Sequence, residues 1–514
     1  MERTDTEESP SDLLPRMHDL EFNTAGSSAE ESHQLYSEKQ TNINVEQPRS
    51  CPIANLSTEL LTLILDILRE SYEGTTHSTE GSDFRGAVPI IASHVCGYWR
   101  SVALENPLWW SEIIVMPPVQ LDRIAAYLER SKQCILDIQI FGHRDGNDSD
   151  SRHDGSEESV TPPNPYKEYQ VLFNLLYPHL QRCRTLQLSS LFADEQTTSI
   201  PILQRILYRE MPHLEKFVLE GDYDAFLFTM GRQNKIPLFL SNPVLRDLRL
   251  TGIQIDSFVL PPASLARLHL SRSSSVGQTT FATLKGVLEA LPNIEELAIY
   301  DDLLIQWPGS SESCHVPSLR TLAIYGNMLS VSELLMFLDA PKVKTLTIAP
   351  VVVSDMRLLD IEQSTNRHFR LPFPELYSLT LAPAFSEAFT AVDILATYFP
   401  QVKELVLANL YATPFLKLFT NEPVAFPNLL DLALTDLAPW HYEPVLQQII
   451  TFRNAQNVPL RNIFVDSKTY AIMACAEFPG NFRFRVANVW EEQRRQALHS
   501  EVKDMFVGRS YEDS

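Results

Sequence analysis

Pro317-Ser318-Leu319-Arg320-Thr321-Leu322-Ala323-Ile324-Tyr325-Gly326-Asn327-Met328-Leu329 is the stretch that decides the fold. It reads P-x-L-x-x-L-x-L-x-x-N-x-L, and its core is an apolar triplet at positions 1, 4 and 6. Clean copies stand at Leu214/Phe217/Leu219, Leu245/Leu248/Leu250, Leu265/Leu268/Leu270, Ile294/Leu297/Ile299, Leu319/Leu322/Ile324, Val343/Leu346/Ile348, Leu376/Leu379/Leu381, Val402/Leu405/Leu407 and Leu429/Leu432/Leu434. Looser copies open and close the series at Cys183/Leu186/Leu188 and Leu460/Ile463/Val465. A motif that returns every ~20–33 residues signals stacked structural repeats.

In a strand, positions 4 and 6 point to one face and the residue between them to the other. Helical runs ending in Pro precede several of these strands. Phe281, Leu284, Leu288 and Leu291 form one face ahead of Pro292, and similar runs end at Pro341 and Pro400. Proline stops a helix and pushes its predecessor to extended geometry. One such unit cannot bury its own leucines, so neighbours must stack. Residues 180–466 therefore resemble the leucine-rich-repeat family, which implies an α/β fold with a curved parallel sheet. The Asn position departs from that family: Asn327 holds it, while Ile253, Ser273, Asp302, Val351, Ala384 and Leu437 stand elsewhere. An irregular solenoid is expected.

Net charge is −23, from 42 basic and 65 acidic residues among 514. That balance argues against nucleic acid or an anionic membrane as a general partner. The six cysteines lack C-x-x-C spacing, which points to reduced thiols and a cytoplasmic or nuclear setting. The opening residues are acidic, so no secretory signal is expected, and no apolar run is long enough to span a bilayer. Residues 1–50, rich in Glu, Asp, Ser and Gln, read as a disordered acidic tail.

Order is expected from Pro52 onward. Ser57 is placed to cap a helix with Glu59 in its first turn, and the run from Leu60 to Leu68 is apolar nearly all round. Such a helix must be covered on more than one side. Three pieces follow in order: Leu56-x-x-Glu59-Leu60-Leu61, Val95-Cys96-x-x-Trp99-Arg100 and Pro107-x-x-Trp110. Together, residues 51–112 resemble the F-box family, in the form that fungi carry in large numbers. Two departures are Ser57, where the family usually has Pro, and a polar insertion over 71–86. The resemblance implies a helical module that docks on the Skp adaptor of Skp–Cullin–F-box ubiquitin ligases. The docking residues it implies are Leu56, Leu60, Leu61, Ile64, Leu65, Val95, Trp99 and Leu108. It also implies a substrate receptor without catalytic chemistry. The departures leave open a leucine-rich-repeat scaffold or binding protein that does not engage a ligase.

A connecting segment, 113–179, holds a strand, a short helix near Leu121–Leu128 and an alternating strand Leu136–Ile140, with an insertion loop at 141–165. A milder insertion covers Asp355 to Phe373. Residues 467–514 form a C-terminal cap and tail, with a strand near Phe482–Val486 and a charged helix near Trp490–Phe506. The chain contains no phosphate-binding loop, no zinc-binding H-E-x-x-H and no nucleophile elbow, so no catalytic residue, metal or cofactor is expected.

On the sheet face away from the core, position 3 alternates in charge through Lys216, Asp247, Arg267 and Glu296. This row is expected to pair internally. Arg249 and His269 have no acidic neighbour in their own row, and Tyr300 and Tyr325 lie side by side beyond a trough of small residues. These four are the expected contact points for a protein substrate. Arg249 would take an acidic or phosphorylated group, and protonation of His269 would strengthen binding at lower pH.

Overall fold

The computed structural model describes residues 56–71, 83–142, 165–189, 199–221, 236–239, 242, 244–252, 255, 258–261, 264–271, 279–300, 303, 313–325, 331–351, 373–383, 389–408, 417–435, 442–465 and 483–486. The acidic tail, the 143–164 part of the insertion loop, Asn327 and the charged C-terminal helix lie outside them. The chain divides into two compact units, Met1–Leu60 and Leu61–Ser514. Of the first, a turn and the opening of a helix are described; Ser57 Oγ accepts from Leu60 N–H at 3.4 Å, the cap expected there.

The second unit is built on one 14-stranded sheet. Its strands are β1 Glu112–Val115, β2 Leu136–Phe141, β3 Cys183–Ser189, β4 Lys216–Glu220, β5 Asp247–Thr251, β6 Arg267–Ser271, β7 Glu296–Tyr300, β8 Thr321–Tyr325, β9 Thr345–Val351, β10 Ser378–Pro383, β11 Glu404–Ala408, β12 Asp431–Thr435, β13 Asn462–Val465 and β14 Arg483–Val486. Every pairing is parallel and joins sequential neighbours. Parallel neighbours need a crossover between them, which the helices and turns of each repeat supply. The protein is thus an α/β chain on an all-parallel repeat sheet, consistent with a leucine-rich-repeat-like solenoid. The sheet begins before the first triplet, at Glu112, and β14 extends it beyond the last, in register with β13.

The triplets explain the register. Leu248, Leu268, Leu297, Leu322, Leu346 and Leu379 follow one another across the sheet and all are 0% exposed. The first members, from Leu214 to Leu429, are equally buried in the turns that lead into the strands. Each buried Leu contributes ~1.5–3 kcal/mol relative to exposure. The helix Phe281–Glu289 turns Phe281, Leu284 and Leu288 inward, as its spacing predicts, and Thr280 caps it. Ahead of Pro341 the helix Val331–Phe337 stops early. Leu338–Asp339 instead pairs with Cys314–His315, locked by a 2.7 Å contact between His315 and Asp339.

Inter-repeat side-chain bonds sit before the strands. Asn242 donates to Leu214 O at 2.8 Å, Ser318 to Ile294 O at 2.8 Å, Gln401 to Phe373 O at 2.9 Å and Asn428 to Pro400 O at 2.9 Å. Each ties one turn to the turn of the preceding repeat. Of the positions aligned with Asn327, Val351 is described, and it is buried at the end of β9.

Near the last repeats, Arg453 of the helix Tyr442–Ala455 is fully buried and paired with no carboxylate among the described residues. Its guanidinium donates to the carbonyls of Ala425, Phe426, Leu429 and Val458. Burial lowers its pKa to about 10, which leaves it charged at neutral pH. Lysine cannot span four carbonyls with one ammonium. Arg453→Lys is therefore expected to cost ~2 kcal/mol and Arg453→Ala ~3–5 kcal/mol, read as a lowered melting temperature.

Candidate functional site

Three helices precede the sheet: α1 Thr58–Ser71, α2 Asp83–Val95 and α3 Gly97–Glu105, followed by a 3-10 turn, Pro107–Trp110. Within the second unit, Leu61 and Leu65 of α1 face the core, along with Val88 and Ala92 of α2 and Val102 and Ala103 of α3. Hydrogen bonds fix the arrangement. Trp109 Nε1 donates to Asp66 Oδ1 at 2.8 Å, Trp110 Nε1 to Ala103 O at 2.8 Å, and Arg100 Nε to Ser93 O at 2.8 Å. Trp110 is fully buried against Tyr127, edge to face at 5.0 Å, with the Arg130 guanidinium 4.4 Å from its ring. The tryptophans therefore build the frame.

The frame holds an apolar face turned outward. Leu63, Ile64, Ile67 and Leu68 of α1, Ile91 and Val95 of α2, Leu104 of α3 and Leu108 of the turn are each 39–60% exposed. On α1 these residues recur at helical spacing, so this helix presents one apolar stripe to the core and another to solvent. Eight large apolar side chains are thus exposed on four consecutive elements.

Of the eight residues expected to dock an adaptor, Ile64, Val95 and Leu108 lie on this outward face. Trp99 is half-buried and packs against the core, its Nε1 inside without a hydrogen-bond partner. Leu61 and Leu65 are core residues beneath the face and support it from within. Leu56 is half-buried and Leu60 exposed. Leu63, Ile67, Leu68, Ile91 and Leu104 did not emerge from the motif. Their signal is the all-round apolarity of α1 and the apolar run in α2.

The second candidate region is the sheet face away from the core, over β5 to β8. Register brings Arg249 beside His269 and Tyr300 beside Tyr325. The tyrosine rings stack at 4.8 Å and 16°, with the His269 ring 6.4 Å from Tyr300. Within the position-3 row, Arg267 Nε lies 3.3 Å from Asp247 Oδ2, as their charges suggest. That row also reaches the next one, contrary to the expectation of unpaired positive charge. Arg249 Nε lies 3.5 Å from Asp247 Oδ1, two residues back on its own strand, and His269 Nε2 lies 3.1 Å from Glu296 Oε1 on the next strand. The hydrogen bond with His269 holds the Glu296 carboxyl below its usual range, against the opposing effect of burial.

Tyr325 is also less available than its position suggests. It is 7% exposed, in a cluster with Ala298, Ala323, Ala349 and Ala382, and Tyr300 packs on that cluster. Its small neighbours let the ring settle onto the sheet. Tyr325→Ala is accordingly expected to cost ~3 kcal/mol in chemical denaturation, whereas Arg249→Ala costs under ~1 kcal/mol.

Among the described residues no group of three His, Cys, Asp or Glu side chains is placed to hold a metal ion. No helix among them is long and apolar enough to cross a membrane. No family model matches the chain, and no curated protein matches it.

Proposed function

We propose that this chain is the substrate-recognition subunit of a Skp–Cullin–F-box type ubiquitin ligase, with no catalytic chemistry of its own. The observation that carries the proposal is the outward apolar face of α1, α2, α3 and the following turn, on the segment where the three F-box-like pieces stand in order. An apolar face of this kind suits a permanent protein partner, and the proposed occupant is the Skp adaptor. Ile64, Val95 and Leu108 of the second unit would contact it directly, with Trp99, Leu61 and Leu65 holding the helices in place; Leu56 and Leu60, in the first unit, are separate proposed contacts. The proposed substrate site is the sheet face away from the core, where Arg249 and Tyr300 offer polar and aromatic contacts, while His269 and Tyr325, each 7% exposed, support them from beneath rather than meeting a partner directly.

Gel filtration of the folded full chain with purified Skp adaptor and cullin tests the reading. A ternary complex supports it. A folded chain that elutes alone assigns the repeat sheet to a scaffold or binding protein outside a ligase.

A further inference from the structure

One residue of every repeat stands at the entry to its strand, two before the first core-facing residue of the strand. These residues form a continuous backbone ladder. Glu215 N donates to Arg184 O, Arg246 N to Glu215 O, Ala266 N to Arg246 O, Glu295 N to Ala266 O and Arg320 N to Glu295 O. The ladder continues with Lys344 N to Arg320 O, Tyr377 N to Lys344 O, Lys403 N to Tyr377 O, Leu430 N to Lys403 O and Arg461 N to Leu430 O. The two halves of this row differ in charge. From β3 to β7 it runs Arg184, Glu215, Arg246, Ala266, Glu295, with signs alternating. From β8 to β13 it runs Arg320, Lys344, Tyr377, Lys403, Leu430, Arg461, with four cations and no carboxylate.

All four cations and Tyr377 are exposed. Arg461 is paired with the buried Asp431, and Lys403 lies 5.9 Å from the Tyr377 ring. Arg320, Lys344 and Lys403 form no ion pair among the described residues. The turns just ahead add Lys342 and Glu375, one of each sign, so they leave the excess unchanged. In a chain of net charge −23 such a stretch runs against the whole. From Arg320 to Arg461 the ladder crosses five strand spacings, ~24 Å, which an extended peptide of about seven residues matches.

The geometry points to this entry row, from Arg320 to Arg461, as a docking surface for a short acidic segment of a partner protein. Carboxylates of the segment meet Arg320, Lys344 and Lys403, and an apolar residue covers Tyr377. A nucleic acid fits the row less well, because its long polyanion would also meet the acidic remainder of the chain. This surface is distinct from the proposed substrate site and does not depend on adaptor docking.

The test uses the full chain and a fluorescein-labelled decaglutamate peptide in fluorescence anisotropy at low salt. The wild type is expected to bind saturably, weakening as salt rises. The triple variant Arg320→Glu/Lys344→Glu/Lys403→Glu should bind at least about tenfold more weakly, while Arg246→Glu, in the alternating half, keeps wild-type affinity. If the triple variant does not fold, lysine acetylation of the wild type read by mass spectrometry decides the matter. The peptide should protect Lys344 and Lys403 but not Lys132. Absent binding by the wild type, equal losses in Arg246→Glu, no protection of the two lysines, or tighter binding of a single-stranded oligonucleotide than of the peptide would each overturn the assignment.

Discussion

Leu346→Asp is expected to give no soluble, folded protein. Leu346 sits in the middle of β9, 0% exposed, with Leu322 and Leu379 beside it in register on the neighbouring strands. The aspartate side chain has no cation or donor within that apolar layer. It must bury its charge or turn the strand over, and either costs several kcal/mol. In a repeat array stability is a sum of repeat and interface terms, so one broken strand uncouples the repeats on its two sides. Loss of the soluble fraction on expression is the expected readout. The milder Leu346→Ala should stay soluble and lose ~2–5 kcal/mol. Lys344→Glu, two residues away and exposed, should leave the melting temperature within a degree or two of wild type, so the contrast isolates burial from position.

Ile64→Asp/Ile67→Asp is expected to behave oppositely: under the proposed docking the protein folds and is easier to keep in solution, but loses co-purification with the adaptor. Both side chains are exposed, Ile67 at 56%, so their replacement removes no core contact. Two charges on the stripe of α1 shrink the apolar surface available for self-association. In a complex the same two charges would be desolvated without partners, and two lost anchors weaken docking at least about a hundredfold. Co-expression followed by affinity purification reads the loss, and circular dichroism confirms the retained fold. Adaptor retained at the wild-type ratio by this variant would place docking elsewhere.

Periodicity made the sheet legible. A triplet at positions 1, 4 and 6 has one physical solution, and the strands it marked are those that form. Alternation alone also identified Leu136–Ile140 and the C-terminal Arg483–Val486, because a period of two is a strong local signal. The phase of α1 was not legible. A helix apolar on all sides does not reveal which stripe meets the core, so Leu61 and Leu65 could not be told from Leu63 and Ile67. The sheet face away from the core was half legible. On position 3, Arg267 pairs with Asp247 as its charge suggests, but Arg249 finds Asp247 two residues back on its own strand and His269 finds Glu296 diagonally on the next, contacts that a row-by-row reading omits. Arg453 was invisible for another reason: an arginine in an amphipathic helix looks like surface, and its partners are backbone carbonyls, which carry no sequence signature.

The most direct test of the receptor reading is a calorimetric titration of the folded full chain with purified Skp adaptor at several temperatures. Saturable one-to-one binding is predicted, with a negative heat-capacity change because the outward apolar face leaves water. The heat should vanish for Ile64→Asp/Ile67→Asp and persist for Arg249→Ala, which lies on the sheet. A folded wild-type chain that gives no saturable binding, or that binds with no change in heat capacity, would contradict the account.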